Sequence, residues 1–186
     1  MKLTLLRHGQ TEGSLKDLYY GAADLPVLPQ SLAELSSCRE KYPTAERYYT
    51  SGLLRTEQTL QALYGPVAHE KLLGLREMDF GDFEMKSYEQ LKDDPAYQKW
   101  IEDVEHNPCP GGESASIVLR RSLAAMETVL SGKGDAVCII HGGITSGLMM
   151  HWFGGDRYSY LVKPGQGYQI TFDERTPVSY RRVPEE

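Results

Sequence analysis

Hydrophobic residues along this chain fall into short runs that alternate with helical patterns from one end to the other. The run Leu3-Thr4-Leu5-Leu6 predicts a first strand over residues 2 to 6. Residues 29 to 41 suit a helix, and Ala45 to Thr50, with Tyr48 and Tyr49, suit a second strand. Leu53 to Tyr64 predicts a further helix, with Leu53, Leu54, Leu60 and Leu63 at roughly helical spacing and Gly65-Pro66 as its stop. Ser114 is placed to cap a long helix reaching about Leu130. Ala136 to Ile140 has the pattern of a buried strand, followed by a loop and a helix over 143 to 153. Tyr168 to Phe172 and Val178 to Arg182 read as closing strands, paired as a hairpin at one sheet edge. Strand, loop and helix in this recurring order predict a layered α/β domain.

Between about residues 76 and 112 the pattern is less regular and more acidic. Ser87 to Lys92 and Pro95 to Glu105 predict short helices, separated by Asp93-Asp94-Pro95, and Asn107-Pro108-Cys109-Pro110-Gly111-Gly112 predicts a loop. The chain shows neither an internal repeat nor a low-complexity linker, so the expectation is one domain over residues 1–186 with an inserted cap at about 76–112. Such insertions often cover an active site.

Composition narrows the partners. With 186 residues, 40% hydrophobic and 25% charged, the chain has the make-up of one ordinary globular domain. A net charge of −6 argues against a nucleic-acid partner, although a small basic pocket remains compatible with an anionic substrate. No run approaches the roughly 18 apolar residues of a membrane span, so no membrane partner is expected. Leu3 to Leu6 is too short for a secretion signal and is interrupted by Arg7, which makes the cytoplasm the expected compartment. Cys38, Cys109 and Cys138 are odd in number and widely spaced, and predict free thiols. The pattern fixes no oligomeric state.

Candidate chemistry begins at Arg7-His8-Gly9, directly after the first strand. An imidazole can attack phosphorus, a guanidinium can bind phosphoryl oxygens through its planar fork, and a glycine lets backbone approach the transferred group. Ile140-His141-Gly142-Gly143 repeats this logic after the second buried strand, where a helix start can aim backbone N–H groups at an anion. In a parallel sheet both strand ends face the same edge. Arg55, just inside the helix after the second strand, can project over that edge too. Two arginines and two histidines packed together are costly unless an anion fills the space. On the alternative reading the histidines are unrelated loop residues, and Arg55 is a solvated helix residue paired with Glu57 or Gln58.

The order of motifs resembles the histidine phosphatase superfamily, the phosphoglycerate-mutase-like proteins. The matching pieces run from Leu5 to Glu12, Gly21 to Val27, Ser51 to Thr59, Leu75 to Glu84, Pro110 to Ser114 and Ile140 to Gly143. The resemblance implies a three-layer α/β/α sandwich with a mostly parallel central sheet and a small inserted cap. It implies His8 as the nucleophile that becomes phosphorylated, and Arg7, Arg55 and His141, with the following Gly142, as the phosphate pocket. Glu77 matches the proton donor, which requires its carboxyl to be protonated by partial burial or by the phosphate's charge. Glu84 is its competitor within the same acidic stretch. Thr11 either binds phosphate or ends the loop.

This chain also departs from its relatives. Ser14 stands where many carry asparagine, and Leu18 where they carry arginine, so recognition around the phosphate is expected to differ while the central reaction is kept. Phe83 and Met85 replace a tryptophan and a glycine, which leaves the shape of that loop open. Tyr19, Tyr20, Tyr88, Tyr97 and Trp100 are candidates for core packing or substrate contact, with packing the commoner use. His69, His106 and His151 match no catalytic motif. No metal or cofactor is expected, since no ligand-spaced carboxylates or cysteines accompany the histidines and the mechanism needs none.

The expected activity is hydrolysis of a small phosphorylated metabolite through a phosphohistidine on His8. Among small relatives the chain looks most like those grouped with α-ribazole phosphatase, a group that also includes broad sugar-phosphate phosphatases. Mutase-type phosphoryl transfer is the first alternative, and a non-catalytic phosphate-ligand-binding protein the second.

Overall fold

Side chains alternate across a strand, and that alternation organises the molecule. In the computed structural model, which describes residues 1–185, Lys2–Arg7 forms β1. Leu3 and Leu5 join one hydrophobic cluster and Leu6 the other. Ala136–Ile140 forms β6, whose Ala136, Cys138 and Ile140 face the first cluster while Val137 and Ile139 face the second. Every residue of β6 is buried, which is why it reads as an unbroken apolar run.

The remaining strands are β2 (Leu18–Tyr19), β3 (Arg47–Thr50), β4 (Glu70–Lys71), β5 (Lys86–Ser87), β7 (Gly167–Asp173) and β8 (Thr176–Val183). The helices are α1 (Glu12–Leu15), α2 (Pro29–Ser37), α3 (Leu54–Tyr64), α4 (Tyr88–Leu91), α5 (Pro95–Glu102), α6 (Ala115–Ser131) and α7 (Gly142–Phe153). Six strands form the main sheet in the order β4-β3-β6-β1-β7-β8. From β4 to β1 the neighbours are parallel; β7 runs antiparallel to β1 and pairs with β8 as an edge hairpin. Leu35, Leu60 and Leu63 of α2 and α3 cover one face, and Val118, Met126, Leu148 and Met149 of α6 and α7 cover the other. This is the expected layered sandwich, and no helix among the described residues is long and apolar enough to cross a membrane.

Several boundaries differ from the hydrophobic pattern for local reasons. The helix expected over 29–41 ends at Ser37, and Arg39–Lys41 is a separate 3₁₀ turn after Cys38 leaves helical geometry at φ −123°. β3 begins at Arg47 rather than Ala45, because the Ala45 N–H is donated to the Tyr48 hydroxyl at 3.1 Å instead of to a neighbouring strand. α5 ends at Glu102, short of the expected Glu105. Ser114 occupies the N-cap position of α6, but its hydroxyl pairs with the Ser116 hydroxyl at 3.0 Å rather than with a backbone N–H.

The 76–112 segment is bound to the body at both levels. β5 pairs with β2, Leu18 opposite Ser87 and Tyr19 opposite Lys86. Its Phe83, Tyr97 and Trp100 are buried in the same cluster as Leu3 and Leu5. Tyr88, by contrast, is exposed. Met85 stands at φ 62°, the left-handed conformation that favours glycine, with its N–H on the Tyr19 carbonyl at 2.7 Å. The loop therefore keeps a glycine-type turn without the glycine.

Candidate active site

Strand register brings the two histidines together. Arg7 lies opposite Ile140 in the parallel pair β1–β6, and the His8 N–H continues the ladder onto the Ile140 carbonyl at 3.0 Å. His141 leaves β6 at the same edge, and the two rings meet edge-to-face with centroids 5.2 Å apart. On the far side of β6, β3 delivers Ser51.

Hydrogen bonding assigns both tautomers. His8 Nδ1 lies 2.8 Å from the Gly9 carbonyl, which can only accept, so Nδ1 carries the proton and Nε2 keeps its lone pair. Arg55 Nε donates to His141 Nδ1 at 3.4 Å, which places the His141 proton on Nε2, 2.8 Å from Ser51 Oγ. Burial holds both imidazoles well below their ordinary pKa of 6.5, and the Arg55 charge pushes in the same direction. Both rings are therefore neutral near pH 7, the state a histidine nucleophile requires.

This has a consequence for stability. In the unfolded chain each imidazole takes up a proton as pH falls through about 6.5, while the folded rings resist protonation, so stability drops on acidification below that point. The melting temperature should fall between pH 7.5 and pH 5.5, and by less in a His8→Gln/His141→Gln double variant. An identical fall in both proteins counters the assignment.

The arginines have different settings. Arg7 Nη1 donates to the Val162 carbonyl at 2.8 Å, whereas its buried Nε finds no partner among the described residues. Arg55 is completely buried in α3. Its Nη1 and Nη2 donate to the carbonyls of Ala23 and Gly21 at 2.8 and 2.9 Å, and its guanidinium lies over the Tyr20 ring. Burial draws the Arg55 pKa down, opposed by Tyr20 and by the carboxylates of Glu77, Asp24 and Glu84. The alternative pairing of Arg55 with Glu57 or Gln58 is not found: Glu57 meets Thr50, His69 and Lys71, and Gln58 accepts from the Val27 N–H.

Glu77 and Glu84 separate cleanly. The Glu77 carboxylate enters the cleft, accepting from the Met78 N–H at 3.0 Å and the Gly143 N–H at 2.9 Å. Its segment is pinned by Arg121 of α6, which donates to the carbonyls of Gly74, Arg76 and Glu77 and forms an ion pair with Glu113 at 2.8 Å. Glu84 instead accepts the backbone N–H groups of Gly21, Ala22, Ala23 and Phe80. It clamps the loop whose carbonyls hold Arg55, and it does not line the cleft.

Gly143 has to be glycine for Glu77 to sit where it does. A Cβ there would lie 2.6 Å from Glu77 Oε1. Gly143→Ala should displace the carboxylate and slow turnover about 10-fold to 100-fold in a steady-state assay with an alkyl phosphate, with the melting temperature nearly unchanged. Wild-type turnover would show that this placement is irrelevant.

Arg7, His8, Glu77 and Gly142 share a cleft of about 180 Å³, together with Leu18, Tyr19, Tyr20, Phe80, Gly143 and Leu161. Arg55 and His141 pack behind His8, both completely buried. Thr11 and Ser14 are not brought in. Each closes the other's half of a capping box on α1, Thr11 Oγ1 donates to the Tyr20 hydroxyl at 2.7 Å, and Ser14 Oγ donates to the Thr11 carbonyl at 3.0 Å. Their hydroxyls are occupied in ending the loop, which for Thr11 is one of the two roles expected of it. Gly9 also differs from expectation: a Cβ there would meet Val27 and Leu35 at under 3 Å, so its smallness serves packing. Ser51 and Arg121 carry no role in the sequence reading, and Gly143 carries only that of a helix start able to aim N–H groups at an anion. The second glycine after His141 was the available signal for Gly143, whereas Arg121 looks like any helix arginine.

One sheet edge thus carries paired histidines, two arginines and an acid, a set chemically suited to a phosphoryl group. Residues 3–178 match the model of the histidine phosphatase superfamily, branch 1, and the chain belongs to that family. A protein from Bradyrhizobium diazoefficiens named 2,3-bisphosphoglycerate-dependent phosphoglycerate mutase is 34% identical over 169 residues, covering 80% of this chain and 79% of its own. A phosphoglycerate mutase structure from Thermus thermophilus superposes with a TM-score of 0.77 at 28% identity, over 97% of this chain and 98% of that one. The structure of a putative alpha-ribazole-5'-P phosphatase from Escherichia coli shares the fold, with a TM-score of 0.87 at 22% identity over 97% and 94% of the two chains.

Proposed function

We propose that this protein is a metal-independent phosphomonoester hydrolase acting on a small phosphorylated metabolite through a phosphohistidine on His8. The observation that carries this reading is the His8 tautomer: Nδ1–H is held by the Gly9 carbonyl, and the Nε2 lone pair is left for a cleft shared with Arg7 and Glu77. In the first step Nε2 attacks phosphorus in line and the bond from phosphorus to the ester oxygen breaks. Arg7 offers N–H donors to the phosphoryl oxygens, while buried Arg55 and its partner His141 supply fixed charge and dipole behind the nucleophile. Glu77, on the cleft wall beside the phosphoryl site, acts as the general acid that gives a proton to the departing oxygen. The resulting carboxylate then removes a proton from water, which attacks the phosphohistidine and returns the N–P bonding pair to Nε2.

The direct test is release of inorganic phosphate from p-nitrophenyl phosphate by the wild-type chain and by His8→Ala. Release by the former alone supports the reading; equal release removes His8 as nucleophile; release by neither leaves a phosphate-binding protein. The mutase alternative is favoured by the name of the 34% identical relative. Against it, Leu161, which lines the cleft beside His8, is exposed, and a site open to solvent favours water as the acceptor of the phosphoryl group.

A further inference from the structure

Next to the cleft lies a larger cavity of about 400 Å³, a size at the lower end for small-molecule sites. It shares Tyr19, Glu77, Phe80, Gly143 and Leu161 with the phosphate cleft, so the two form one continuous site divided at the Glu77 carboxylate. A phosphate on His8 places its ester oxygen toward Glu77 and the rest of the alcohol toward this cavity.

The cavity's chemistry is specific. Its walls are mainly aromatic and aliphatic; Arg157 and the Tyr19 and Tyr97 hydroxyls are already occupied, and the Trp100 indole N–H is buried without a partner among the described residues, a single neutral donor for a ring-borne acceptor. Arg157, its one arginine, has Nε and Nη2 on Glu105 Oε1 at 3.0 and 2.7 Å. The Tyr19 and Tyr97 hydroxyls bond each other at 2.6 Å. Leu18 continues the apolar surface into the phosphate cleft. A leaving group carrying a carboxylate or second phosphate would face Glu77 with no free cation to offset it, at a substantial cost. A flat apolar group would be desolvated against Tyr19, Phe80 and Trp100.

We propose that the physiological substrate is a phosphate ester of an alcohol with an uncharged, apolar, ring-bearing body, which this cavity binds while the phosphate sits at His8. The inference rests on the hydrolase reading and adds the class of leaving group to it. The same feature disfavours glycerate phosphates.

The test compares kcat/KM for 2-phenylethyl phosphate, glycerol 3-phosphate and 3-phosphoglycerate, alkyl esters with similarly poor leaving groups, so that the chemical step is matched. The phenylethyl ester should exceed glycerol 3-phosphate by about 10-fold to 100-fold, with 3-phosphoglycerate lowest. Ile101→Asp places a carboxylate on the cavity's exposed rim and should lower the phenylethyl-to-glycerol ratio at least about 5-fold. Tyr158→Asp, at a second exposed rim position, repeats the test independently. Phosphate release with a wild-type ratio near one, or a ratio that neither variant lowers, overturns the cavity assignment while leaving the hydrolase reading intact. Failure to hydrolyse any ester, p-nitrophenyl phosphate included, overturns both.

Discussion

Replacement of His8 by alanine should slow phosphate release from p-nitrophenyl phosphate by on the order of 10⁵-fold, the scale seen when a covalent nucleophile is removed. The size of the effect follows from the absence of a substitute. His141 is the only other imidazole at this sheet edge among the described residues, and its nitrogens are engaged by Arg55 and Ser51. The nitrogen that attacks is His8 Nε2, made available by the Nδ1 bond to the Gly9 carbonyl. Folding should survive, because removing a buried imidazole from beside two arginines also removes a desolvated polar ring. Circular dichroism checks that point. Added imidazole should restore part of the activity by occupying the space left at residue 8, and activity near the wild-type level without imidazole would contradict the proposed chemistry.

The second large effect is expected at Glu77, and it should depend on the leaving group. Glu77→Gln keeps the shape but has no proton of suitable acidity to give. It also loses a hydrogen bond, because Met78 and Gly143 both donate and an amide offers only one accepting oxygen. For an alkyl phosphate kcat should fall about 10²-fold to 10⁴-fold. For p-nitrophenyl phosphate, whose phenolate departs unaided, formation of the phosphohistidine should be nearly unchanged and its hydrolysis slowed, so the intermediate accumulates. Equal slowing of phosphohistidine formation from both substrates would show that Glu77 only supports the site. Glu84 provides the contrast: its four backbone contacts predict that Glu84→Ala loosens the 21–23 loop and impairs turnover with no leaving-group dependence.

The parts of this arrangement that were legible in the sequence share a physical cause. β1, β6 and α3 are defined by apolar burial, and burial leaves a periodic trace; His8 and His141 could be placed at one edge because each follows such a strand. β4 and β5 are two residues long, Glu70–Lys71 and Lys86–Ser87, with too little apolar alternation to mark them. The roles of Thr11, Ser14 and Glu84 depend on backbone N–H groups that only the folded loops present. A carboxylate that clamps a loop and one that donates a proton look alike in a row of acidic residues. The proposed substrate cavity was hidden for a related reason: aromatic residues such as Tyr19, Tyr97 and Trp100 more commonly pack a core, and here each packs in the core cluster and also lines the cavity.

The most direct measurement is to quench the Glu77→Gln protein during turnover of ³²P-labelled p-nitrophenyl phosphate and map the label. It should sit on the peptide containing His8, be labile in acid and stable in alkali as a phosphoramidate is, and be absent from the His8→Ala protein. Turnover without a trapped phosphoryl group, or a label on any other residue, would contradict the phosphohistidine mechanism.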